Sequence, residues 1–168
     1  MKKVLIYAGV SLLFVVLACA VTLAAKDSQP QFKTMEVKHF TVAEGVALPD
    51  KIDQKDYLSL LYDQLREQLE KHKLAGQVLP EGAAVSDADA ADSVVVEGKI
   101  SAFKKAGSTM LSPGMLAMEI SLYHRKDHSL ITTIRPSVKI PPAAYKNDET
   151  FAKGSAGLAA GEIKKALK

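Results

Sequence analysis

The chain has 168 residues, with 22 basic and 19 acidic side chains and a hydrophobic share of 48%. Setting Lys2 and Lys3 aside leaves 20 basic against 19 acidic residues. That balance argues against nucleic acid as a partner, because phosphate-binding surfaces carry a large basic excess. The only cysteine is Cys19, so no internal disulfide can form, and the absence of tryptophan speaks against a carbohydrate-stacking platform.

Residues 1–25, MKKVLIYAGVSLLFVVLACAVTLAA, have the layout of an export segment. Lys2 and Lys3 supply the positive start, Val4 to Ala25 the apolar run, and polar sequence begins at Lys26. The segment predicts an exported protein of a bacterium, and its fate has three readings. Val16-Leu17-Ala18-Cys19 resembles a lipobox, with Cys19 as the lipidated first residue of the mature chain. Cleavage near Ala24 or Ala25 gives a secreted or soluble periplasmic product. Retention gives an anchor, since the run spans roughly 33 Å as a helix at about 1.5 Å per residue, enough for a hydrocarbon core of about 30 Å. Two of these leave the protein membrane-anchored and facing the periplasm. Residues 26–31 read as a polar tether and 32–168 as one domain.

Phe32 to Phe40 reads as a first strand, Met35 and Val37 on one face and Thr34, Glu36 and Lys38 on the other. Loop residues run through Pro49 and Asp50. Asp53 then suits a helix N-cap and Asp56 its first turn. Leu58, Leu61, Leu65 and Leu69 make one stripe up to about Lys73, with Gly76 as a stop signal. A short strand follows at Gln77–Leu79, then a loop from Glu81 to Asp92. Val94, Val96, Gly98, Ile100 and Ala102 alternate with Val95, Glu97, Lys99, Ser101 and Phe103 in a long strand. Gly107–Gly114 connects it to a second, with Leu116, Met118, Ile120 and Leu122 inward and Ala117, Glu119, Ser121 and Tyr123 outward. Arg125–Ser129 is a polar turn, and Leu130–Ile134 a third strand that Pro136 interrupts. A last helix from Asp148 or Glu149 to Lys168 carries the stripe Ala152, Ala156, Ala159, Ile163 and Ala166.

The order β-α-β-β-β-β-α predicts an α+β two-layer sandwich: a mixed four- to five-stranded sheet with helices on one face, preceded by the N-terminal hydrophobic helix. The first strand–helix–strand unit crosses over right-handedly and makes its strands parallel, and the meander extends the sheet antiparallel.

The run Met35-Glu36-Val37-Lys38-His39-Phe40, the helix LSLLYDQLREQLEK and the lead into Val94-Val95-Val96-Glu97-Gly98-Lys99-Ile100 precede two alternating strands around a charged turn. Together they resemble an uncharacterised family of bacterial envelope lipoproteins. That family's domain is likened to the N-terminal domain of TolB and to the outer-membrane assembly lipoproteins LptE and CsgG. The likeness spans Phe32 to Ile134, and the connection before the second long strand departs from it by lacking a glycine- and arginine-rich run. It implies a fold and an envelope location far more than an activity.

Catalytic and metal chemistry find little support. His124 and His128 flank a hairpin turn, where a spacing of four does not place them on one helix face. His39 stands at a strand end and His72 at a helix end. Asp87, Asp89 and Asp92 lack the glycine and distal glutamate of a calcium loop. Gly154, Gly157 and Gly161 are followed by Glu162 where a phosphate loop needs Lys then Ser or Thr, so close helix packing is their expected role. No nucleophile elbow appears. No catalytic residue, metal or cofactor is assigned.

The outward sheet positions Val95, Phe103, Tyr123 and Ile131, among Glu97, Lys99, Glu119 and Arg135, form the candidate partner-binding surface. The chain therefore reads as a non-enzymatic, membrane-tethered envelope protein presenting its domain for protein–protein contact in an assembly or transport system. A lipid or small-molecule binding module, with ligand between helices and sheet, is the alternative. An enzyme with an unrecognised site comes third.

Overall fold

The computed structural model describes residues 31–48, 52–104, 114–140 and 148–168. The leader, Cys19, residues 26–30 of the tether and the connection Gly107–Pro113 lie outside them. The strands are β1 (Phe32–Val37), β2 (Thr41–Val42), β3 (Ala75–Leu79), β4 (Ser93–Lys104), β5 (Gly114–His124), β6 (Leu130–Ile134) and β7 (Ser137–Ile140). The helices are α1 (Gln54–His72), α2 (Asp87–Ala90) and α3 (Asp148–Ala166).

Alternation decides the sheet. Its order is β3-β1-β4-β5-β6, with β2 also pairing β4 and β7 also pairing β5, seven strands among the described residues. β1 runs parallel to β3 and β4, as the crossover through α1 requires. The β4-β5-β6 meander is antiparallel. The α+β sandwich stands, and β2 and β7 enlarge the expected four- to five-stranded sheet. Both are short, two and four residues, too brief to show as periodicity.

The expected first strand breaks after Val37. Val37 pairs with Val96 and Thr41 with Lys99, so β1–β2 takes four steps where β4 takes three. The extra residue turns Phe40 into the core, where it is 2% exposed and its ring lies against Gly98. A Cβ at Gly98 would stand 2.2 Å from that ring, so glycine is what admits it.

α1 forms as its caps dictate. The Asp53 carboxylate accepts from the Lys55 and Asp56 amides at 2.9 and 3.0 Å, and Lys73 closes the helix in the left-handed region at φ 52°. Leu61, Leu65 and Leu69 are fully buried, joined by Tyr57 and Tyr62, while Leu58 sits half-buried at the flank. α3 packs on α1 through Ala152, Ala156, Ala159, Ala160 and Ile163, all fully buried; Ala166 is exposed and Leu167 takes the inward place. The Tyr57 hydroxyl donates to Ser155 Oγ at 3.2 Å, and Ser155 donates to the Phe151 carbonyl at 2.8 Å. Burial pushes the Tyr57 phenol well above its ordinary range. The α3 glycines do not serve the close packing expected of them: a Cβ at Gly154, Gly157 or Gly161 would meet nothing within 4 Å. The alanines make the approach instead.

Candidate functional site

Both long helices cover one face of the sheet, and the other, outer face divides into two halves. At the end where β1 begins, residues 80–92 lie across it as a strap. A turn closed by the Ala83 amide on the Pro80 carbonyl, with Gly82 at φ +77°, starts the strap. The Gly82 amide donates to Glu36 Oε1 at 2.8 Å. Arg125 ion-pairs with Glu36 Oε2 and donates from Nη2 to the Ala83 carbonyl at 2.6 Å. Leu79, Glu36 and Val95, neighbours in register across β3, β1 and β4, are thereby buried to 9%, 5% and 6% exposure.

Beside the strap, His39 stacks on Tyr62 with centroids 3.8 Å apart, and Arg66 lies over the same ring at 5.6 Å. His39 Nδ1 and its backbone amide both reach Glu81 Oε2, at 2.7 and 3.1 Å. The His39 side chain and then its amide, both bonded to Glu81, hold that carboxyl below the usual glutamate range.

The described residues leave the other half open. Glu97 takes Lys38 at 2.6 Å and His128 at 3.7 Å; Glu119 takes Lys99 at 3.1 Å and Arg135 at 3.0 Å. The bonds from Lys99 and Arg135 pull the Glu119 carboxyl below its ordinary value. A shallow groove of about 210 Å³ lies among Thr41, Glu97, Lys99, Glu119, Ser121 and Tyr123, floored by Gly98.

Two bulges re-sort the expected partner-binding residues. A register shift between Ile100 and Ala102 pairs Phe103 with Leu116, turning Phe103 to the helix side, where it packs against the core, and leaving Ala102 exposed. A second shift at Leu122/Tyr123 pairs Tyr123 with Leu130, and Ile131 packs against the core. Val95 is on the outer side but under the strap. Of the four expected residues only Tyr123 lines the open half, with the His128 ring edge-on at 4.5 Å. Leu130, 57% exposed, is the apolar neighbour that strict alternation hid.

The acidic loop has a structural use. Ser86 caps α2, Asp89 Oδ1 accepts from Lys33 at 3.0 Å, and Asp89 Oδ2 from Ser86 at 2.7 Å. Among the described residues no group of three His, Cys, Asp or Glu side chains is placed to hold a metal ion. No described helix is long and apolar enough to cross a membrane.

No protein-family model matches the chain, and no curated protein matches its sequence. Its fold is similar to solved bacterial proteins. The PelC dodecamer from Paraburkholderia phytofirmans aligns with TM-score 0.51 at 8% identity, over 83% of this chain and 88% of that one. A Xanthomonas campestris protein of the domain-of-unknown-function family DUF330 aligns with TM-score 0.50 at 14% identity, over 83% and 92%. A hypothetical protein from Chlamydia trachomatis aligns with TM-score 0.50 at 9% identity, over 81% and 93%. At these identities the likeness is one of fold.

Proposed function

We propose that this chain is a non-enzymatic, membrane-tethered envelope protein whose α+β domain contacts another protein through the open half of its outer sheet face. The observation that carries this reading is the surface around Tyr123 and Leu130 that the described residues leave uncovered, an apolar pair ringed by ion-paired charges. A core of small apolar area with a polar rim is how protein interfaces are built. The export-type leader supports the location. A fold-mate that assembles as a dodecamer supports contact, rather than catalysis, as what this architecture offers. The alternative ligand space between helices and sheet is occupied by Tyr57, Leu61, Leu65, Met118 and Leu122, all fully buried.

Site-specific photocrosslinking at Ser121 in native membranes tests the reading. A discrete crosslinked band that disappears with Tyr123→Asp or Leu130→Asp is expected. Crosslinks that ignore both substitutions would refute it. For the tether, acyl labelling lost with Cys19→Ser is expected for the lipoprotein form; unchanged labelling and size would refute lipidation.

A further inference from the structure

The open half-face has a charge the whole domain lacks. Register places Lys104, Met115 and Lys139 side by side across β4, β5 and β7, beyond the Lys99–Glu119–Arg135 row. With Lys38 bonded across to Glu97, register and ion pairing place five cations among the described residues on this half-face, Lys38, Lys99, Lys104, Arg135 and Lys139, against two carboxylates, Glu97 and Glu119. That is an excess of three, where residues 26–168 together have an excess of one. Both carboxylates are already engaged by two basic groups each. Lys104 and Lys139 are exposed, and no ion pair reaches either among the described residues.

We propose that the occupant of this face is an extended, acidic segment of a partner protein. This rests on the contact reading above and adds the partner's chemistry. Its carboxylates meet Lys104, Lys139 and Arg135; the hydroxyls of Thr41 and Ser121 border the groove, which admits a side chain beside Tyr123. The half-exposed Met115 and the Tyr123–Leu130 pair supply apolar contact that a bare polyanion would leave unused. A membrane surface fits less well. The tether joins at Phe32, two residues before Thr34, which pairs with Ser93, whereas Lys104 lies at the other end of the 12-residue β4. At about 3.3 Å per residue that is roughly 36 Å along the sheet, pointing away from the anchored end.

The test uses the full-length chain in phosphatidylcholine nanodiscs, with a labelled synthetic peptide of alternating Glu and Ser that carries two Leu residues, read by fluorescence anisotropy. Saturable binding is expected, weakened at least about tenfold by Lys104→Glu with Lys139→Glu, and weakened again by raising salt across the Debye range. Lys153→Glu, exposed on α3 in the helix layer, should leave it unchanged. No saturable binding, or binding indifferent to the paired substitution, overturns the proposal. So does capture of phosphatidylglycerol vesicles that the paired substitution abolishes while the peptide fails to bind. If the peptide fails but the Ser121 crosslink still vanishes with Tyr123→Asp, the contact face stands and only its acidic partner falls. If both fail, both readings fall. All these substitutions are at surface positions, and unchanged thermal unfolding confirms the fold.

Discussion

The two halves of the outer face carry the same kind of interaction with different consequences. Under the strap, Glu36 and Arg125 pair with 7% and 20% of their side chains exposed, and backbone groups of Gly82 and Ala83 complete their hydrogen bonding. In the open half, Arg135 pairs with Glu119 while 72% of its side chain faces water. Covered, the pair fixes a loop and seals Leu79 and Val95 beneath it; open, it is exchangeable with solvent. Burial, more than the residues themselves, decides whether a charge pair is structure or surface.

That contrast is breakable. Arg125→Met strands the Glu36 carboxylate under the strap and should cost about 3 kcal/mol by urea unfolding, with accelerated amide exchange at Gly82. A cost below that of an ordinary surface change would refute the strap's dependence on the pair. Next in size, Gly98→Ala, beneath the open groove, forces the Phe40 ring aside and should cost about 1–3 kcal/mol by the same assay; a neutral result would mean that the ring relocates freely. Gly157→Ala, on the far side of α3, should instead stabilise by about 0.5–1 kcal/mol, since its Cβ meets open space.

Smallest of all, Glu119→Gln in the open half should shift the melting temperature by under about 2 °C near neutral pH. Here the sign follows from the lowered carboxyl. Folding holds Glu119 below its ordinary value of 4.5, so its pairing contributes fully above that pH. The contribution is lost as pH falls through the lower folded value. The wild-type and Glu119→Gln melting curves should therefore converge on acidification below about 4.5, and divergence there would refute the pairing. Glu81 follows the same sign, lowered by His39, so acid also loosens the exposed margin of the strap.

Much of the helix-side layer was legible in the residues. The 3.6-residue stripe of Leu61, Leu65 and Leu69, the Asp53 cap and the period of two from Val94 to Ile100 each state a face, because burial of one side is what those spacings achieve. The candidate site was harder to read. Alternation assigns Phe103 and Ile131 outward, and one extra residue in a strand reverses or disrupts that assignment. Nothing in the sequence around Ser101 or Ile131 marks a bulge, which arises from how neighbouring strands stagger. Nor does the composition of residues 80–92 indicate what that loop covers.

What the amino-acid sequence by itself determined is the order of the long elements and their core-facing stripes, since each is a local pattern of apolar spacing. Tertiary structure alone decided that Val95 is covered, that Phe103 turns inward, that Leu130 stands beside Tyr123 and that Lys104 and Lys139 flank Met115 across three strands. Those outcomes depend on register between segments distant in the chain, and register is settled by packing the whole sheet at once.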